Sequence, residues 1–194
     1  MNESSLLSNT TENSIISKET EINSSYESQT SKETNLNNHI IHSIYLSLKD
    51  IINDNIPVQK YVKNDIFYLS SIPSISLKDF INRLVKFSKM EISTLINAII
   101  YIDNFCDKNN YIITANNIFC ILLSACLLSL KFNEDIIVSY KYYSEISGVS
   151  VEDLQKFELY MYLNLHFSLK VEYDLFISYY DYFKNYSYSK NEKK

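Results

Sequence analysis

The chain has 194 residues, enough for one domain with a core plus tails, and 46% of them are hydrophobic. Gly occurs once, Pro twice and Trp never. A sheet-rich fold needs Gly and Pro at its turns, so the composition excludes one and favours a few long helices joined by short polar connections. The net charge is −5, with 17 tyrosines. Residues 1–38 hold six acids and two lysines, and residues 184–194 four lysines and one acid. An acidic body lacks the electrostatic footprint of a nucleic-acid binder.

The segment 1–38 is rich in Ser, Thr, Asn and Glu, and is expected to be a disordered tail because it buries too little apolar area to offset its ordering entropy. Ser17-Lys18-Glu19-Thr20 returns as Ser31-Lys32-Glu33-Thr34, which reads as low complexity rather than a repeat architecture. From residue 39 the pattern changes. Ile41, Ile44, Tyr45, Leu48 and Ile52 share one helical face, so a helix is expected over 39–55. A connector over 56–73 follows, with Tyr61 and Phe67 as isolated large side chains.

Ser76 is placed to cap the next helix, with Asp79 at the positive end of its dipole and Leu77, Phe80, Ile81, Leu84 and Val85 as its stripe. A helix over about 91–106 buries Leu95, Ile96, Ile99 and Ile102. Thr114 is the expected cap of a helix reaching Phe132 that is apolar nearly all round, and so central. Its run Ile118–Leu130 is too short to span a bilayer. A short helix over about 138–146 should end at Gly148, the only glycine, where a left-handed residue is wanted. Ser150 caps a further helix with Leu154, Phe157 and Met161 inward, and a last helix covers about 172–183.

Chemistry is hard to find. Cys106, Cys120 and Cys126 are odd in number and form no C-x-x-C pair, which points to a reduced, intracellular setting without a disulfide framework or zinc site. Met1–Thr10 has no basic start and apolar run of a secretory signal. His39 and His42 lie one turn apart, but no third ligand sits at a telling distance. One glycine allows no phosphate loop, and no serine sits in a nucleophile elbow. The acid pairs Glu134-Asp135 and Glu152-Asp153 fall at helix boundaries, where dipole matching accounts for them. The expectation is a non-catalytic protein with neither cofactor nor metal. By periodicity alone, Lys131 is a snorkelling lysine at a helix end and Glu158 a charge flanking a stripe.

The motifs change that reading. Leu130-Lys131-Phe132-Asn133-Glu134-Asp135, Tyr143, Ser147-Gly148-Val149-Ser150, Asp153-Leu154 and Phe157-Glu158-Leu159 together resemble the cyclin box, in particular that of P/U-type cyclins, which include the phosphate-pathway cyclins. Ile72-Pro73-Ser74-Ile75-Ser76 leading to Phe80, Arg83 and Leu84, then Ile100-Tyr101-Ile102-Asp103, fit the same pattern. The likeness covers about residues 39–183. Departures fall at Asn104, where the family usually has Arg, at Phe119-Cys120 for His-Arg, at Tyr140 for Asn, at Ser147 for Gly and at Gln155 for Asn.

The resemblance implies an all-α fold: a five-helix cyclin box over 74–168, a flanking N-terminal helix over 39–55, a short C-terminal helix over 172–183 and a basic tail over 184–194. It implies binding and activation of a cyclin-dependent protein kinase as a heterodimer, in the cytoplasm, the nucleus or both, without nucleic acid or membrane. Lys131, Glu158, Phe132, Leu128 and Phe157 are the residues it assigns to the kinase contact, with Gly148 as a structural turn. A cyclin-fold adaptor that activates no kinase is the alternative, and a nucleic-acid-binding relative of the fold is a third reading, opposed by the acidic charge. The box lacks a Met-Arg-Ala-Ile-Leu docking motif, and Arg83 starts no Arg-x-x-Leu degradation box. Lys-Glu-Thr in the tail is no Lys-Glu-Asn box.

Overall fold

The computed structural model describes residues 30–61, 65–135 and 139–191, with the backbone alone for 60–61 and 187–191. The chain divides into two compact units, Met1–His39 and Ile40–Lys194. In the first, residues 30–39 are helical. The expected tail therefore differs over 30–38, while its residues 1–29, with the first Ser-Lys-Glu-Thr copy, lie outside the described residues. Lys193 and Lys194 of the basic tail lie outside them too.

The second unit opens with α1, residues 40–54, and a 3-10 turn at Ile56–Tyr61. Six further helices follow: α2 Leu77–Ser88, α3 Ile92–Asn109, α4 Ile118–Asn133, α5 Tyr140–Ser147, α6 Val151–Asn164 and α7 Tyr173–Asn191. No strand occurs among the described residues, and the fold is all-α. No helix among them is long and apolar enough to cross a membrane.

The helix starts follow from side-chain caps. Ser76, Ser139 and Ser150 each have extended backbone and accept the N–H of the residue three positions on, supplying a partner that the helix itself cannot. Asp79 and Asp153 accept the hydroxyl protons of Ser76 (2.6 Å) and Ser150 (2.8 Å) in return. Glu134 serves another helix: its carboxylate accepts the Glu91 N–H (2.9 Å) at the start of α3. Gly148 ends α5 at φ 74°, in the left-handed region.

Thr114 does not cap α4. A turn intervenes and α4 starts after Asn117, whose side chain works backwards, accepting the Thr114 N–H (2.7 Å) and donating to the Ile112 carbonyl (2.9 Å). The two ends of its amide, one accepting and one donating, thus meet two backbone groups of the bend.

α4 is the axis of the unit. Every residue from Ile118 to Leu130 is buried, and α4 packs against α3, α6 and α2. α7 and α6 also lie on α3, and α5 lies on α2 and α6. Phe67 plugs one end: fully buried, it meets Phe105, Tyr111, Phe157 and Tyr160 at centroid distances of 5.4–6.3 Å. Asn116 fastens this connector, donating to the Leu69 carbonyl (2.8 Å) while its own carbonyl accepts the Leu69 N–H (2.9 Å). α7 is tied down by Tyr179, whose hydroxyl donates to Asp103 on α3 (2.7 Å), and by Tyr186, which donates to Asp50 on α1 (2.6 Å).

Candidate functional site: a lysine–glutamate–tyrosine cluster

The apolar run of α4 ends at Lys131, the first position of that helix past the buried stretch. α6 runs beside α4 and presents Glu158, the residue after buried Phe157. The two charges, 27 positions apart in sequence, meet. The Lys131 ammonium donates to both carboxylate oxygens of Glu158, at 2.8 and 2.7 Å. Tyr140, the first residue of α5, completes the cluster. Its hydroxyl accepts a hydrogen bond from Lys131 (2.8 Å) and donates one to Glu158 Oε2 (2.6 Å), and the Lys131 Nζ lies 4.0 Å from its ring centroid.

Burial and charge act in opposite senses here. Desolvation pushes the Lys131 pKa down, but the hydrogen bonds to Glu158 and Tyr140 outweigh it and the net shift is upward. The Tyr140 phenol is also raised, by burial first and then by its bond to Glu158. Lys131 is therefore a fixed cation at any neutral pH. The Glu158 side chain is 14% exposed and that of Lys131 37%, so the pair sits at the surface with its carboxylate half sheltered. The arrangement offers fixed charge and hydrogen bonds, the chemistry of recognition.

The other expected contact residues divide. Phe132 is 56% exposed beside Lys131. Leu128 and Phe157, at 4% and 8%, are buried inside the bundle, Phe157 against Phe67 at 5.7 Å. These two offer little surface of their own. Gly148 lies at the α5–α6 turn, away from the pair in sequence but setting the entry to α6.

The structure also exposes apolar residues to which the sequence reading gave no role. Leu159 and Leu163 are exposed one turn apart on α6, and Phe167 is exposed just after it. His166 and Phe167 both take left-handed backbone, φ 56° and 59°, with Phe167 edge-on to Tyr162 at 5.0 Å. Two successive non-glycine residues there cost on the order of 1–2 kcal/mol each. Leu159 and Leu163 fall outside the Leu154–Phe157–Met161 stripe, and that misfit was a readable signal. The strained turn had none. Among the described residues no group of three or more His, Cys, Asp or Glu is disposed to hold a metal, and the ring of His42 stacks on Tyr45 at 5.9 Å.

A family model described as Cyclin matches residues 3–175. Cyclin-U2-2 of Arabidopsis thaliana is 30% identical over 108 residues, 55% of this chain and 47% of that protein. Cyclin-U4-3 of the same plant is 30% identical over 98 residues, 50% of this chain and 45% of its own length. Cyclin-P3-1 of Oryza sativa subsp. japonica is 25% identical over 104 residues, 54% of this chain and 44% of that protein. The chain spans about half the length of the curated relatives it matches.

Proposed function

This chain belongs to the cyclin family, its relatives being plant U-type and P-type cyclins, and on that premise we propose that it is a regulatory subunit that binds and activates a cyclin-dependent protein kinase. The observation that carries the proposal is the Lys131–Glu158 pair, closed at 2.7 Å between α4 and α6 and rooted in the buried core, with Phe132 exposed next to it.

A protein kinase is active only when the lysine of its third strand pairs with the glutamate of its αC helix. A subunit without chemistry of its own activates such an enzyme by binding the αC-inward state more tightly than the outward one. The surface around Lys131 and Glu158 suits that task. It offers a charge pair for backbone groups at the end of a helix and an exposed apolar side chain at Phe132, on helices whose neighbouring residues Leu128 and Phe157 are buried. The acidic balance of the chain argues against a nucleic-acid role. A kinase partner places the heterodimer inside the cell.

The test is direct. In water a pair this exposed contributes only about 0–1 kcal/mol. Desolvated against a partner, truncating either charge weakens binding by roughly 2–5 kcal/mol. Lys131→Ala and Glu158→Ala are each expected to abolish pull-down of a cyclin-dependent kinase and its stimulated phosphorylation of a peptide. Unchanged capture and activity in both variants refute the interface. Capture without stimulation makes the chain an adaptor.

A further inference from the structure

An ammonium has three donors and no acceptor. In this chain all three donors of Lys131 are taken: by Glu158 Oε1 (2.8 Å), Glu158 Oε2 (2.7 Å) and the Tyr140 hydroxyl (2.8 Å). Yet the lysine is still reachable, with 37% of its side chain exposed. A partner that approaches with an acceptor must therefore displace one of three existing bonds.

The three are not equal. Two run to a carboxylate and are charge-assisted on both sides, whereas the third runs to a neutral phenol oxygen. The phenol bond is the one that yields. Its loss does not disturb the carboxylate, because the same hydroxyl keeps donating to Glu158 Oε2 at 2.6 Å. The glutamate has spare capacity where the lysine has none: among the described residues Oε1 accepts only from Lys131, which leaves a lone-pair direction open to a partner N–H.

We infer that Tyr140 is a specificity-determining residue of this surface, holding the third Lys131 donor in the free chain so that only a partner oxygen stronger than a phenol, such as a peptide carbonyl, engages the lysine. The inference rests on the reading of this cluster as the partner-binding surface. It gives Tyr140 two separable jobs, fixing Glu158 by donating to it and screening Lys131 by accepting from it. A partner that offers only N–H groups meets Glu158 and leaves Lys131 capped.

Tyr140→Phe separates these jobs from packing, because it keeps the ring 4.0 Å from the ammonium and removes only the hydroxyl. Two measurements decide the matter. In the free full-length chain, NMR titration of the Lys131 side-chain nitrogen is expected to give a lower midpoint in Tyr140→Phe than in the wild type, since one bond to the charged form is gone. An unchanged midpoint overturns the inference, whether or not a kinase binds. Calorimetry with a cyclin-dependent kinase that binds the wild type is expected to show affinity raised roughly ten- to hundredfold in Tyr140→Phe, the worth of one hydrogen bond from a charged donor. That gain must vanish when Lys131→Ala is added. Unchanged or weakened binding, or a gain that survives without Lys131, overturns the inference. If no such kinase binds the wild type, the functional reading fails by itself and the titration alone judges Tyr140.

Discussion

Gly148 sits at φ 74° with nothing within 4 Å of where a Cβ would be. A side chain there finds space but not a comfortable backbone. Gly148→Ala is expected to lower stability by about 1–2 kcal/mol, and Gly148→Asn by less, since Asn tolerates the left-handed region. Urea unfolding of the two variants checks this, and equal losses would mean that the turn had rearranged. The glycine was legible in the sequence because one residue type answers one backbone requirement. Ser76 and Ser150 were legible for the same reason, each acting within three positions. Tyr140 was not. Its partners are 9 and 18 positions away, and no local rule brings a helix's first residue onto a charge pair on two others. Lys131 and Glu158 lie between these cases. Periodicity made them flanking charges, and only the surrounding motifs paired them.

At the level of elements, α7 is held through Asp103, a carboxyl on α3 that accepts the Tyr179 hydroxyl. Burial raises the Asp103 pKa, the bond from Tyr179 opposes the rise, and Asp107 adds to it. A carboxyl raised in the folded state binds its proton more tightly there than in the unfolded chain. Its contribution is thus full below the ordinary carboxylate value, about pH 4, and is lost as pH rises through the folded value. Asp103→Asn keeps an acceptor for Tyr179 and removes the titration. Unfolding free energies at pH 4 and pH 7 should show the variant gaining on the wild type as pH rises, and a constant difference rules the argument out. Helix order and stripes were readable because burial repeats with the turn of a helix. Ends were less so. α7 runs to Asn191 rather than stopping near 183, and α4 begins three residues late because Asn117, not Thr114, closes the bend.

Across the second unit, the three cysteines share one fate on three different helix positions. Burial first, with Asp103 and Asp107 added at Cys106 and Asp153 and Asp65 at Cys120, pushes each thiol up to about 12. All three are free. A thiol-reactive reagent at pH 8 is expected to find no fast group in the native protein and three after unfolding. Cys106 is only half-buried, so a rapid native reaction confined to it would mean that its thiol is reachable in place, and one at Cys120 or Cys126 that the core opens without global unfolding. The sequence supported free thiols through their odd number and spacing, but the rise in their pKa comes from packing. The central helix has one more consequence. A close-packed interior is poorly compressible, and α4 is enclosed from Ile118 to Leu130 with Lys131 at its tip. A load applied at Lys131 therefore meets a stiff post braced by α2, α3 and α6. On the proposed function, a kinase that leans on that tip is the side expected to change shape.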